Sequence, residues 1–282
     1  MPIISKNFIE RCLFGTLSIA LATCAISFSH NVLGAFFFLA IVLAFHSRAL
    51  YEYCHLCEHA GHSLLKTNLF LFSNLYILSH AFFTHRAAFI LIIGTVFIIT
   101  SYFRKQEKAL EGLALTALSF VMITFPMSLF INLNYLPRLI NGTATSFWLF
   151  WLLIVVKGSD MAAYVVGKKM GSHPLAKDLS PKKTIEGAVG GVLFAGALSV
   201  ILGLLYRKMF TILMPPDTWV ILGMIFGVIA IFGDLTESLL KRSAGVKDSA
   251  RIPGLGGIFD TYDSLLLTTP ALYFYLRVME LI

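Results

Sequence analysis

The sequence predicts an all-α, polytopic integral membrane protein with about nine transmembrane helices, and three observations carry that expectation. Of the 282 residues, 57% are hydrophobic and only 13% charged, and the mean hydropathy is +0.81. A soluble domain carries roughly a quarter of charged residues, so a dissolved globule and a disordered chain are both excluded. Apolar runs such as Phe36-Phe37-Phe38-Leu39-Ala40-Ile41-Val42-Leu43 do not alternate, which excludes a transmembrane β-barrel. The basic residues also favour one side of the membrane.

In chain order the spans lie near Leu13–Ser27, Val32–Phe45, Asn68–Phe83, Ala87–Phe103, Leu113–Leu133, Ser146–Gly167, Gly187–Tyr206, Thr218–Leu240 and Ile258–Met279. Each offers an apolar run of about the length needed to cross the hydrocarbon at 1.5 Å per residue. The first, behind Lys6 and Arg11, resembles a signal peptide, but the second follows at once and makes the pair a membrane hairpin. With the N-terminus inside, about sixteen Lys and Arg fall in inner loops. Only Arg86, Arg138, Arg207 and Lys208 fall in outer ones. The formal charge of +7 then faces anionic headgroups or an anionic cytosolic substrate, with no nucleic-acid partner expected.

Polar residues divide the chain functionally. Residues 1–110 read as a transmembrane anchor and residues 111–282 as the catalytic region, with acids and bases gathered between Lys157 and Asp263. Asp160 lies inside a span, where an acid either pairs with Lys157 one turn away or faces a polar cavity. Ser180-Pro181 reads as a helix start, Ser as N-cap and Pro at the first position. With Lys182, Lys183 and Thr184 it would form a phosphate cradle. Asp234, Glu237 and Lys241 share a helical face, and Asp260 and Asp263 do the same at the next span. Clustered carboxylates without His or Cys suit a hard cation such as Mg²⁺, and the surrounding cations Lys241, Arg242, Lys247 and Arg251 suit phosphates. Together they describe phosphoryl or nucleotidyl transfer. Cys54, His55, Cys57 and His59 have neither zinc-finger nor haem-attachment spacing and read as incidental.

These strings resemble the phosphatidate cytidylyltransferase (CDP-diacylglycerol synthase) family. Its signature S-x-x-K-R-x4-K-D, P-G-H-G-G, D-R-x-D-S is matched at Ser238, Lys241, Arg242, Lys247, Asp248, Pro253, Gly254, Gly256, Gly257, Asp260, Asp263 and Ser264. The family's S-P-K-K-T-x-E-G matches Ser180 to Gly187, and Ala49-Leu50-Tyr51-Glu52-Tyr53 resembles its early cytoplasmic turn. Leu255 stands where the signature has His and Thr261 where it has Arg, and the stretch from Asp248 to Pro253 is one residue short.

The resemblance implies that CTP and phosphatidate give CDP-diacylglycerol and pyrophosphate, in phospholipid biosynthesis, at the cytoplasmic face of a bacterial inner membrane. It implies Mg²⁺ on Asp234, Asp260 and Asp263, with a second, monovalent cation as an option. Lys241, Arg242, Lys247 and Asp248 would form the catalytic group. Asp160, Ser180, Lys182, Lys183, Thr184, Glu237, Ser238, Gly256 and Gly257 would bind substrate. The family's habit admits a homodimer. The rival readings are a cytidylyltransferase or CTP-dependent kinase for a polyprenyl-type lipid, and a secondary transporter. Transporters are usually built from repeated halves, and no repeat is seen.

Overall fold

A computed structural model describes residues 32–82, 87–103, 108–135, 144–209, 214–247, 249 and 257–279. The predicted span at Leu13–Ser27 lies outside them, as do Asp248 and Leu255. In order, the helices are α1 (Val32–His59), α2 (Lys66–Phe82), α3 (Ala87–Tyr102), α4 (Ala109–Ser119) and α5 (Phe125–Tyr135). After them come α6 (Ala144–Met170), α7 (Ile185–Met209), α8 (Pro216–Ser243), α9 (Ile258–Tyr262) and α10 (Leu265–Val278). A short hairpin of β1 (Pro174–Ala176) and β2 (Ser180–Thr184) links α6 to α7.

Among these, five segments are long and apolar enough to cross a membrane: Val32–His59, Ala109–Asn134, Phe147–Met170, Ile185–Leu205 and Pro216–Ser243. Of the nine spans expected from hydropathy, one lies outside the described residues, and five of the other eight meet this measure. The reasons the rest fall short are local. Helices α2 and α3 have 17 and 16 residues, and the last predicted span is broken between α9 and α10 at Asp263-Ser264. The chain is an integral membrane protein.

The described residues form two compact units, one within Met1–Leu139 and Leu240–Tyr262, the other within Ile140–Leu239 and Asp263–Ile282. In the first, α4 and α5 pack with α1, α2 and α3. Here α4 passes into α5 through a π turn, Phe120–Thr124. Pro126 has no N–H to return to the preceding turn, and Phe125 N–H bonds five residues back to Phe120 O. Several polar side chains inside this unit pair with one another, as hydrocarbon favours. His46 lies 3.3 Å from Asn74 Oδ1 and 3.2 Å from Thr124 Oγ1, and Asn132 Nδ2 donates to His80 Nδ1 at 2.8 Å.

Small residues build the second unit. Ser159, Ala163 and Gly167 on α6 meet Gly187 and Gly191 on α7, and Gly223 and Gly227 on α8 meet Ala195 one turn further along α7. All recur every fourth residue, so each row forms one face on which backbones approach closely. A Cβ on Gly187 would lie 2.6 Å from Ala163 O, and one on Gly191 2.9 Å from Ser159 O. Buried Trp148, Trp151 and Trp219 fill another stretch of this unit, and Trp151 Nε1–H donates to Ser199 Oγ at 3.2 Å.

Candidate active site

Three carboxylates come together in the second unit. Asp234 and Glu237 are one turn apart on α8, and Asp263 sits at the break before α10. One oxygen from each lies within 4.8 Å of the others. The approach is possible because residue 233 is glycine: a Cβ there would stand 2.6 Å from Asp263 O. Lys157 Nζ donates to Ser264 Oγ at 2.7 Å and lies 3.6 Å from both Asp160 Oδ2 and Asp263 Oδ1. Local pairing of Asp160 with Lys157 is thus present, and the same lysine joins Asp160 to the cluster. Lys183 forms an ion pair with Asp234. Four acids against two lysines leave a net formal charge that one divalent cation would neutralise.

Ser180 does not start a helix. Ser180–Thr184 is a strand paired antiparallel to β1, and α7 begins at Ile185. Pro181 fits both readings, since neither a helix first turn nor an exposed strand position uses its missing N–H. The cap is Thr184, whose Oγ1 accepts Gly187 N–H at 3.1 Å. Glu186 closes the hairpin by accepting His173 N–H at 3.2 Å and bonding its Nδ1 at 2.6 Å. Lys182 is exposed, while Lys183 is half-buried and turned to Asp234. Thr184→Ala is expected to cost about 1 kcal/mol, read as a lower thermal midpoint with the helix content unchanged.

In the first unit, Lys241 Nζ donates to Asp260 Oδ1 at 3.1 Å, and Asp260 Oδ2 accepts Gly257 N–H at 3.0 Å. Asp260 is thereby the back-reaching half of a capping box on α9. Buried Glu52 accepts the next two N–H groups, of Ile258 at 3.2 Å and Phe259 at 2.9 Å. Arg48 Nε and Ser249 Oγ donate to Glu52 as well, each at 2.9 Å. Thr261, standing where the signature has Arg, donates its hydroxyl to Gly257 O at 2.9 Å. After Lys241 the helix ends at Gly245, φ +70°, with Val246 N–H on Lys241 O and Gly245 N–H on Arg242 O. Arg242 and Lys247 are exposed, and Arg242 also donates to Val246 O at 3.2 Å. On α1, Cys54 and Cys57 are buried free thiols, while His55 and His59 are exposed and stacked, so the four donors do not face one point.

A profile of the cytidylyltransferase family matches residues 9–279, nearly the whole chain. The chain belongs to the cytidylyltransferase family. A protein of Synechocystis named phosphatidate cytidylyltransferase is 29% identical over 96% of this chain and 97% of its own length. Its namesake in Chlamydia pneumoniae is 33% identical over 66% of this chain, which there spans 62% of the relative. One from Bacillus subtilis is 37% identical over 47% of this chain and 48% of its own.

The predicted site residues fall into two sets. Asp160, Lys183, Asp234, Glu237 and Asp263 lie in the second unit, with Ser180, Lys182, Thr184 and Ser238 on the same elements. Lys241, Arg242, Lys247, Gly257 and Asp260 lie in the first, and Asp248 and Gly256 lie outside the described residues. Spacing pairs Lys157 with Asp160 but joins neither Lys157 to Ser264 and Asp263 nor Glu52 to the start of α9. For Lys157 the signal was an ammonium inside a span, and for Glu52 an acid amid the apolar residues of α1.

Proposed function

We propose that this cytidylyltransferase joins CTP to phosphatidate, giving CDP-diacylglycerol and pyrophosphate at the cytoplasmic membrane face. The observation that carries the reading is the cluster of Asp234, Glu237 and Asp263 with Lys157 and Lys183, in a chain similar end to end to a protein named for that reaction. The inner bias of Lys and Arg supports the cytoplasmic placement.

The donor set fits Mg²⁺: three carboxylates within reach of one ion, with neither imidazole nor thiolate among them. Asp234, Glu237 and Asp263 would hold it, and the bound ion would neutralise charge on the triphosphate. Asp260, expected beside them from the family pattern, is engaged by Lys241, Ser249 N–H and Gly257 N–H, and is assigned here to orienting Lys241. Lys157 is paired with both Asp160 and Asp263 and offsets part of their formal charge. Lys183 does the same for Asp234, and Lys241, Arg242 and Lys247 supply cations for phosphates. An oxygen of the lipid phosphate forms the new bond to the α-phosphorus of CTP. The bond from that phosphorus to the bridging oxygen breaks, and pyrophosphate leaves with the electron pair. A phosphate monoester is largely ionised near neutrality, so the nucleophile needs no strong general base.

The test is purified full-length protein in detergent with CTP, Mg²⁺ and phosphatidate, following CDP-lipid and pyrophosphate together. Equal amounts of both, dependent on lipid, are expected. Product from a polyprenyl phosphate alone would overturn the acceptor, and a phosphorylated lipid without pyrophosphate would overturn nucleotidyl transfer.

A further inference from the structure

Helix α9 has five residues, too few to hold a helical shape by itself, so its position is set by what it is tied to. The ties come from α1, some two hundred residues earlier in the chain. Glu52 is 1% exposed. Both of its oxygens are used: Oε1 by Arg48 Nε and Ile258 N–H, Oε2 by Ser249 Oγ and Phe259 N–H. The next residue, Tyr53, packs edge-on against buried Phe259 with ring centroids 6.4 Å apart. A Cβ on Gly257 would overlap both Glu52 Oε2 and Ser249 Oγ, so glycine there is what admits the carboxylate.

A buried carboxylate is a costly way to fill space, since an apolar side chain of similar size would pack without desolvation. Its four donors show what it achieves instead. Ser249 is held twice, by its hydroxyl on Glu52 and by its N–H on Asp260 at 3.4 Å. Residues 257 to 259 are held once each, Gly257 by Asp260 and the other two by Glu52. Two carboxylates on two elements thus fix Ser249 against the start of α9. One of them, Asp260, in turn orients Lys241.

We propose that Glu52 is a positioning residue for nucleotide binding: from α1 it locks α9 and Ser249 so that Asp260 presents Lys241 to the phosphates of CTP. This rests on the nucleotidyl-transfer reading above. Glu52 touches no reacting atom in this scheme and acts through Asp260 and Lys241. Its action falls on the nucleotide and leaves the lipid acceptor untouched.

The experiment compares wild type, Glu52→Gln and Ser249→Ala, all full length in detergent. The dissociation constant for CTP with Mg²⁺ is measured calorimetrically without lipid, and KM for CTP and for phosphatidate are measured separately. In Glu52→Gln an amide NH₂ would confront two or more donors. The dissociation constant and KM for CTP are expected to rise about tenfold, with KM for phosphatidate unchanged. Ser249→Ala is expected to move the same constant in the same direction by a smaller factor, and it carries the test if Glu52→Gln does not accumulate. A lowered Vmax with unchanged CTP constants in either folded variant would make Glu52 merely structural and overturn the proposal. Wild type that binds CTP but makes no CDP-lipid would instead overturn the reaction, and the binding constants of the variants would still decide the role of Glu52.

Discussion

Asp263→Asn is expected to lower CDP-lipid formation by about 10²–10³-fold and to move the Mg²⁺ requirement to higher concentration. Asparagine keeps the size and one oxygen of the side chain but removes its charge from a set whose oxygens lie within 4.8 Å of one another. It also leaves the ammonium of Lys157, 3.6 Å away, with one carboxylate fewer to face. Both effects act in the same direction, because a less negative cluster binds a divalent cation more weakly. Initial rates against Mg²⁺ concentration, with Mg²⁺-dependent thermal stabilisation as a readout that needs no turnover, check this. Asp260→Asn provides the contrast. Its oxygens are taken by Lys241 and two backbone N–H groups, so its loss should weaken CTP binding and leave the Mg²⁺ dependence nearly unchanged. The reverse pattern, with Mg²⁺ dependence following Asp260, would move the metal from Asp263 to Asp260.

The membrane class was plain in composition, since half the usual charge cannot cover a soluble surface. Hydropathy was less informative about where helices stop. It merged α9 and α10 into one span because Asp263-Ser264 is flanked by apolar residues on both sides, and a turn of two residues scarcely lowers a window average. The strand at Ser180 went unseen for a different reason: Ser-Pro followed by lysines is a local signal shared by a capped helix and an exposed strand. Pairing with Pro174–Ala176 decides between them, and that pairing is tertiary information. At the site, the one-turn spacing of Asp234 and Glu237 was legible. The approach of Asp263 was legible only on the condition that two spans are neighbours. Spacing makes Lys157 a partner for Asp160, whereas its bond to Ser264 joins residues 107 apart. Helical periodicity finds faces. Which faces meet depends on small residues placed where backbones must touch.

Gly233 is the sharpest case of such a contact, and Gly233→Ala is expected to cost about one to two orders of magnitude in rate with little loss of folded protein. A Cβ at 233 would meet Asp263 O at 2.6 Å and Ser264 Cα at 3.4 Å, both of them backbone atoms that no rotamer change can move aside. Either α8 or the α9–α10 break must therefore give. Whichever moves, Asp263 separates from Asp234 and Glu237 on α8, and Ser264 is displaced from the 2.7 Å bond with Lys157. The rest of the unit is held by the Gly223, Gly227 and Ala195 contacts and by the tryptophan cluster, which the substitution does not touch. Gly196→Ala is the control. Its Cβ would meet the flexible Met224 side chain at 3.0 Å and Val220 O at 3.3 Å, so the same added methyl should be accommodated with the rate nearly intact. Comparing the two variants by thermal midpoint and by rate separates packing from alignment. Equal rates in both would mean that the carboxylates tolerate a displaced Asp263, and the close approach at Gly233 would then serve packing alone.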